Sequence, residues 1–228
     1  MPRISRAIAV GYPHHITQRG NYRQTVFTEE TDYSRYLELM SVFAPKYGLE
    51  IWAYCLMPNH VHFIGVPGRQ ESMARTFNTV HMLYAQYFNR KQKLAGHLWQ
   101  GRFYSCVLDE RHLYAAFRYV ELNPVRAGIV SSVQNYPWCS AGSHIMGIGN
   151  PVLSKCFMME TVENWGQYLT LDSDQEAADN VIKATKAGRP CGGESFIRHI
   201  ECLLNRQLAA RPKGRPRKKE KTEEEGEN

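Results

Sequence analysis

The order of apolar and polar residues changes its period several times along the chain. Short apolar runs bounded by turn residues predict four strands, at residues 10–18, 49–57, 60–66 and 102–109. Helix-start residues and apolar positions three or four apart predict three helices, at residues 28–47, 70–89 and 110–123. Gly48 and Pro124 mark the ends of the first and third helices, because glycine accepts left-handed backbone and the residue before proline avoids helical backbone.

These elements follow one another as strand, helix, strand, strand, helix, strand and then a helix. The order predicts an α+β fold, a ferredoxin-like split βαβ sandwich whose antiparallel sheet carries two helices on one face. We expect this domain to occupy residues 1–130. Residues 131–208 are predicted to form a helical extension, with helices near 158–169, 174–185 and 194–207. The tail, residues 209–228, lacks apolar anchors and is expected to be disordered.

Composition narrows the functional classes. The 228 residues are 43% hydrophobic and carry a net charge of +6, which favours a polyanionic partner such as nucleic acid. The six cysteines show no CxxC spacing, which favours reduced thiols over a disulfide frame or a zinc site. No apolar run reaches the roughly 18 residues of a membrane span, and no signal peptide is evident. We therefore expect a cytoplasmic, nucleoid-associated protein with no membrane partner.

Two segments carry side chains suited to metal-assisted chemistry. His60 and His62 lie two residues apart in a predicted strand, so both point to one face and could form half of a divalent-metal site. Tyr119 and Asn123 lie four residues apart in a predicted helix, so both project from one side of it. This spacing could place a phenol beside a metal ion whose third ligand is the amide oxygen.

Each segment also has an ordinary structural interpretation. The two histidines could be a solvent-facing polar edge, and the tyrosine could pack in the core. Asparagine before proline is a common helix terminus, and Tyr104 and Tyr114 are other candidate tyrosines. A hydrolase that uses metal-bound water is a further alternative, but no third histidine or carboxylate follows at metallohydrolase spacing.

The two segments together resemble a known family. HVH on a strand followed by YxxxN on a helix is similar to the single-tyrosine HUH transposases. More specifically, it resembles the REP-associated tyrosine transposases, which are domesticated relatives of insertion-sequence transposases. The resemblance covers about residues 8 to 131 and rests on TQRGN at 17–21, YCLMPNHVH at 54–62, GHLWQGRF at 96–103 and YVELNPVRAG at 119–128.

The resemblance implies a metal-dependent DNA endonuclease and strand-transferase that acts on single-stranded or hairpin DNA at REP-type repeats. Tyr119 would attack a phosphate and form a 5′-phosphotyrosine. Mg²⁺ or Mn²⁺ would be held by His60, His62 and Asn123. Mobile members of the wider family usually carry Gln where this chain has Asn123, so the sequence favours the domesticated branch.

Several basic, polar and aromatic residues are expected to contact DNA. They are Gln18, Arg19, Asn21, Arg23, Trp99, Arg102 and Arg126, with Lys213, Arg215 and Arg217 of the tail. By resemblance, the residues near position 20 are expected to read bases from a loop. Trp99, Phe103 and Tyr104 could stack on unpaired bases or could belong to the core.

Two further features each leave a structural alternative open. PKGRPRK at 212–218 is similar to an AT-hook core, which inserts arginine into a narrow A·T minor groove, but it could be a solvated basic tail. His14 or His15 could face the active site, or both could serve the structure alone.

The main alternative function is a non-catalytic DNA-binding regulator that keeps the fold and uses its basic tail. Such a protein would bind DNA without forming a covalent adduct. Two structural questions also stay open in the sequence. The chain could be a monomer or a homodimer, and residues 131–208 could bind the DNA hairpin or cover the catalytic sheet.

Overall fold

A computed structural model describes residues 6–171 and 174–209. In this part of the chain the sheet has four antiparallel strands in the order β2-β3-β1-β4. They are β1 (His14–Arg19), β2 (Leu49–Met57), β3 (His60–Pro67) and β4 (Tyr104–Val107). The strand with the two spaced histidines therefore lies inside the sheet between β2 and β1, which rules out the interpretation of a sheet edge.

Helices connect the strands and continue beyond the last one. Those of the first part are α1 (Glu30–Lys46), α2 (Ser72–Gln92), α3 (Glu110–Glu121) and α4 (Asn123–Arg126). Those that follow are α5 (Ala141–Met146), α6 (Met158–Thr161), α7 (Trp165–Thr170), α8 (Gln175–Ala187) and α9 (Glu194–Leu204). The strand–helix order and the sheet order confirm the ferredoxin-like sandwich.

The two faces of the sheet are covered by different helices. Helices α1 and α2 pack on one face, where Ile16, Phe63 and Phe77 belong to one buried cluster. Helices α3 and α8 pack on the other face, where Ile64 and Phe117 belong to a second cluster. The two crossover helices thus share one face as predicted, and the tyrosine helix α3 lies on the opposite face.

Several predicted boundaries differ from the structure by a few residues, and two of these differences have identifiable backbone reasons. The first strand begins at His14 rather than residue 10, because Gly11 has φ of +79° and the N–H of Tyr12 donates to Ala9 O in a turn. Pro124 does not end the helical region. It lies in the first turn of α4, where a helix needs no N–H donor from it.

The extension shares a hydrophobic core with the sheet. Trp165, Tyr168 and Val181 belong to the same cluster as Ile64 of β3, and α8 contacts α3, β4 and β1. The packing therefore shows that the extension covers the sheet, whereas binding of the DNA hairpin by residues 131–208 stays a prediction. Residues 210–228 of the predicted tail, including Lys213, Arg215 and Arg217, lie outside the described residues.

The prediction of reduced thiols concerns six cysteines that all lie in the described part of the chain. All six are free, with Cys202 exposed and the others buried. Among residues 6–171 and 174–209, every helix is too short or too polar to span a lipid bilayer.

We expect acid to destabilise the fold because His14 is buried. Burial lowers the pKa of His14 from 6.5 to about 4, and its imidazole bonds Tyr12 O (2.8 Å) and the N–H of Ala9 (3.3 Å). The unfolded chain binds this proton at higher pH than the folded chain. The free energy of unfolding should therefore fall from about pH 6.5 towards 4, by about 1.4 kcal/mol per pH unit for this histidine.

Urea unfolding at a series of pH values measures this dependence. In His14→Gln the slope below pH 6.5 should be smaller than in the parent protein by about the amount given above. His97→Gln, at an exposed loop position, is the matched control for the loss of one imidazole from the chain. An unaltered slope in His14→Gln would show that this histidine is not the acid-sensitive group.

Candidate active site

The pleat of β3 brings the two spaced histidines to one face. His60 and His62 point towards α3, whereas Val61 and Phe63 between and after them belong to the cluster under α1 and α2. Their rings lie 4.8 Å apart between centroids, at 79°. The face-sharing geometry predicted from the i, i+2 spacing is thus confirmed.

Helix α3 brings Tyr119 over these histidines. The helix begins at an Asp109 cap, whose Oδ1 accepts the His112 N–H at 2.9 Å, and Phe117 and Val120 pack into the sheet cluster. The Tyr119 ring centroid lies 5.4 Å from that of His62, edge to face at 89°. The structure therefore brings together two segments that are 57 residues apart in the sequence.

The competing tyrosines occupy different places. Tyr114 packs its ring against Tyr168, with centroids 6.1 Å apart, and is not among the residues that line the cleft over the histidines. Tyr104, on β4, does line that cleft. Of the two tyrosines on α3, the one at position 119 is therefore the one that faces the histidines.

An open cleft of about 350 Å³ lies over this group. Its lining comprises His15, Thr17, Arg19, His60, His62, Gln100, Tyr104, Tyr119, Ile182, Thr185 and Lys186. The last three residues belong to α8 of the extension, and sequence reasoning did not include them. No motif marks them, because only the docking of α8 onto the sheet brings them to the cleft.

Burial keeps the cleft histidines neutral near pH 7. It lowers the pKa of His60 to about 4, with a smaller lowering by Arg19, and the His60 Nδ1 bonds Asn59 Oδ1 at 2.6 Å. Burial also lowers the pKa of His62 well below its usual value, and nearby His60, His15 and two arginines add to the effect. Neutral imidazoles are the form that binds metal ions.

His15 is a member of this group, which settles the question raised for the two adjacent histidines. Its Nε2 lies 3.0 Å from His62 Nδ1, and its own Nδ1 lies 2.7 Å from Thr185 Oγ1. Burial lowers the pKa of His15 to about 3. His14 points to the other side of the sheet, where it bonds backbone groups of residues 9 and 12.

Tyr119 lies in a partly dry and cationic environment. Burial raises the pKa of its phenol above the usual value, and Arg126 and Arg19 act in the opposite direction. The Arg126 guanidinium carbon lies 5.0 Å from the Tyr119 ring centroid. The phenol is therefore protonated near neutral pH, with two positive charges placed to favour its ionised form.

The available donor atoms fit a divalent cation incompletely. His62 Nε2 is buried and has no hydrogen-bond partner in the described part of the chain, so it can bind a metal ion in the tautomer that carries the hydrogen on Nδ1. Asn123 donates its Nδ2 to Tyr119 O at 2.8 Å, which leaves Oδ1 as its potential metal ligand, but Asn123 is not among the cleft-lining residues. Within the described ranges, no three His, Cys, Asp or Glu side chains are arranged to hold a metal.

Several residues expected to contact DNA lie on exposed surfaces. Arg19 is exposed at the cleft, and Arg102 and Arg126 are exposed on loops or short helices beyond it. Asn21 and Arg23 lie in a 3-10 turn that presents Tyr22 with 94% of its surface exposed. The turn needs Gly20, because a Cβ there would lie 2.5 Å from Gln24 O.

Two residues expected to contact DNA, Gln18 and Trp99, are instead covered by protein, as is Phe103, for which stacking on bases was one of two alternatives. Gln18 is 1% exposed and donates to Gly101 O at 3.2 Å, so it supports the loop from below. Trp99 is 8% exposed, lies 4.5 Å from the His81 ring and donates its Nε1 to His81 O. Phe103 is also buried. For these two aromatic residues the core interpretation is correct, and the surface role expected of Gln18 is wrong for this conformation.

Comparison with known proteins identifies a family model, and two of the similar proteins are described here. The family model described as "Transposase IS200 like" matches residues 10–123. A Haemophilus influenzae (strain Rd) protein named "Putative REP-associated tyrosine transposase" is 22% identical, over 57% of this chain and 84% of its own length. A solved structure of a REP-associated tyrosine transposase bound to a REP hairpin has a TM-score of 0.53 and 20% identity, over 68% of this chain and 93% of that chain.

The structural match supports the sandwich fold, and the named relatives confirm the resemblance seen in the motifs. The matched segment contains β1 to β4, both cleft histidines of β3 and the whole of α3. Since it spans half of the 228 residues, the chain belongs to the IS200-like transposase family.

Proposed function

We propose that this protein cleaves and rejoins single-stranded or hairpin DNA through a covalent 5′-phosphotyrosine at Tyr119, at REP-type repeats. The observation that carries the proposal is the position of the Tyr119 ring, 5.4 Å from a histidine whose buried Nε2 has no partner in the described residues. A buried polar atom without a partner requires an explanation, and a metal ion bound at this histidine would supply one.

The proposed strand cleavage by Tyr119 and its reversal both balance in atoms and charge. Its Oη attacks the phosphorus, the bond from phosphorus to the 3′ oxygen breaks, and the phenol proton leaves as the 3′-hydroxyl gains one. A 5′-phosphotyrosine and a free 3′-OH result. Attack by another 3′-OH reverses the step and joins strands, so no nucleotide cofactor is consumed.

His60 and His62 would hold Mg²⁺ or Mn²⁺, with Asn123 Oδ1 as a third protein ligand. The bound cation would polarise the scissile phosphate and offset charge in the transition state. Because burial keeps both imidazoles neutral, the site does not have to lose a proton at pH 7 before it binds the cation.

Arg19 and Arg126 support the nucleophile. Both lie close enough to Tyr119 to oppose the burial that raises its pKa, and both are exposed enough to meet a phosphate. Arginine suits this position because it stays charged and can donate to two phosphate oxygens at once. The two guanidiniums would therefore orient the phosphate and favour the ionised phenol.

The preference for unpaired or hairpin DNA rests on the shape of the site and on a relative. Tyr119 of α3 lines an open cleft together with residues of the sheet and α8, so a single strand that enters the cleft could bring its backbone to the phenol. Tyr22 presents an exposed ring on which an unpaired base could stack. The similar solved structure holds a REP hairpin.

Metal-dependent adduct formation tests the proposal. We expect an end-labelled REP-type hairpin with a single-stranded flank to become attached to the protein with Mn²⁺ or Mg²⁺, as a band on a denaturing gel. With EDTA, the adduct should fall by about 100-fold or more, because the cation supplies several kcal/mol of transition-state stabilisation. A fully paired duplex of the same sequence is the matched control and should give little adduct.

Tight hairpin binding without an adduct, on every flank and with either cation, would contradict the proposal. That result would support the non-catalytic DNA-binding regulator instead.

A further inference from the structure

A chain of hydrogen bonds runs from α8 of the extension to the cleft. Thr185 Oγ1 lies 2.6 Å from Val181 O, His15 Nδ1 lies 2.7 Å from Thr185 Oγ1, and His62 Nδ1 lies 3.0 Å from His15 Nε2. All three side chains are buried, with at most 4% exposure. The chain of hydrogen bonds ends at His62 Nε2, which has no hydrogen-bond partner in the described residues.

Which atom donates in each of these hydrogen bonds follows from the first bond, between Thr185 and Val181. Val181 O can only accept, so the single hydroxyl hydrogen of Thr185 is donated to it. Thr185 Oγ1 must then accept from its other neighbours, which makes His15 Nδ1 the protonated nitrogen of its ring. Cys106 Sγ, 3.1 Å away, can also donate to this oxygen without altering the order.

The same reasoning passes through His15 to His62. A neutral imidazole carries one hydrogen, so His15 Nε2 holds a lone pair and accepts from His62 Nδ1. His62 therefore carries its hydrogen on Nδ1 and a lone pair on Nε2. The nitrogen with the lone pair is the one without a hydrogen-bond partner, which is the arrangement that a metal ligand requires.

We propose that Thr185, through His15, fixes His62 in the tautomer that binds the metal, so that helix α8 of the extension completes the metal site. Thr185 and His15 are positioning residues, since neither carries a ligand atom. The inference deepens the proposed function, because it rests on His62 being a metal ligand. It also gives a chemical role to part of the chain beyond the matched residues 10–123.

The Thr185→Val variant is expected to change the tautomers of both His15 and His62. In Thr185→Val, the γ-methyl replaces the acceptor, so His15 Nδ1–H would face an apolar group. His15 should then carry its hydrogen on Nε2 and donate it to His62 Nδ1. That shift places the hydrogen of His62 on Nε2, where it blocks the metal.

Long-range ¹H–¹⁵N NMR of the histidine rings in the metal-free full chain reads these tautomers directly. We expect Nδ1–H for both His15 and His62 in the parent protein and in Thr185→Ser, which keeps the hydroxyl. Thr185→Val should move both hydrogens to Nε2. The matched control is Thr76→Val, which removes a buried hydroxyl on α2 that has no partner in the described residues.

Calorimetric titration with Mn²⁺ gives the second readout. Loss of a contact behind a metal ligand costs about 10- to 100-fold in affinity, so Thr185→Val should bind Mn²⁺ at least about 10-fold more weakly. Thr185→Ser and Thr76→Val should bind as the parent does.

Either of two results would overturn the inference. One is a parent protein with the hydrogen on His62 Nε2, which needs no variant to be detected. The other is Thr185→Val with unchanged tautomers or unchanged Mn²⁺ affinity. Neither measurement involves DNA, so a chain that forms no adduct with DNA would refute the tyrosine mechanism without altering these outcomes.

Discussion

Replacing Tyr119 by phenylalanine is expected to lower formation of the covalent protein–DNA adduct by about four orders of magnitude or more. The variant lacks only the Oη that attacks phosphorus, whereas the ring that packs against His62, His15 and Arg126 is retained. Hairpin affinity should stay within about twofold of the parent value, because no bond to the DNA is lost before the chemical step. Adduct yield on denaturing gels and affinity from fluorescence anisotropy measure the two quantities.

Tyr114→Phe is the matched control on the same helix. Tyr114 is half-buried, packs against Tyr168 and does not line the cleft, so its variant should form adduct at nearly the parent rate. If Tyr119→Phe kept a substantial part of the adduct, another nucleophile would be responsible. Tyr104 would then be the first candidate, because it lines the same cleft.

Removing the carboxyl group of Glu121 is expected to destabilise the fold by about 3–5 kcal/mol. Glu121 is fully buried on α3 and accepts three hydrogen bonds: from Ser140 Oγ (2.5 Å), His144 Nδ1 (2.6 Å) and Trp165 Nε1 (2.7 Å). Glu121→Ala would leave these three buried donors without their acceptor and would open a cavity between α3 and the extension. Urea unfolding followed by tryptophan fluorescence and circular dichroism measures the loss.

The control for this prediction is Glu110→Ala, at an exposed position in the first turn of the same helix. Its effect should be within about 1 kcal/mol, the loss of one favourable charge near a helix N-terminus. If Glu121→Ala cost no more than Glu110→Ala, the three hydrogen bonds would not be the link that holds the extension on the tyrosine helix.

Much of the sandwich fold could be predicted from the sequence because its signals are local. The bounds of β2 match the prediction, and Gly48 follows α1 with φ of +67°, as a left-handed helix end requires. His60 and His62 share a face because alternation in a strand is a property of the backbone itself. The prediction of Tyr119 depended on family resemblance, since its spacing alone could not separate a nucleophile from a core tyrosine.

The features that could not be predicted from the sequence depend on contacts between segments that are distant along the chain. Thr185 lies 170 residues from His15, and no local pattern indicates that the two meet. The burial of Gln18 and Trp99 likewise depends on how the loop at 96–103 folds over β1 and α2. Motifs alone therefore predict a surface role for polar and aromatic residues that the tertiary structure buries.

The position of α8 changes how the extension should be studied. Because it shares a buried cluster with the sheet and lines the cleft, deletion of residues 131–208 would expose apolar surface as well as remove any DNA contact. Point substitutions such as Thr185→Val separate these effects, since they leave the packing of the helix in place.

The most direct test of the central claim is to locate the covalent bond. Adduct formed with Mn²⁺ and a REP-type hairpin would be digested with nuclease and protease, and the nucleotide-linked peptide identified by mass spectrometry. The account predicts a single linked residue, Tyr119, joined to a 5′ phosphate. A nucleotide on Tyr104, on Tyr114 or on any residue other than Tyr119 would contradict it.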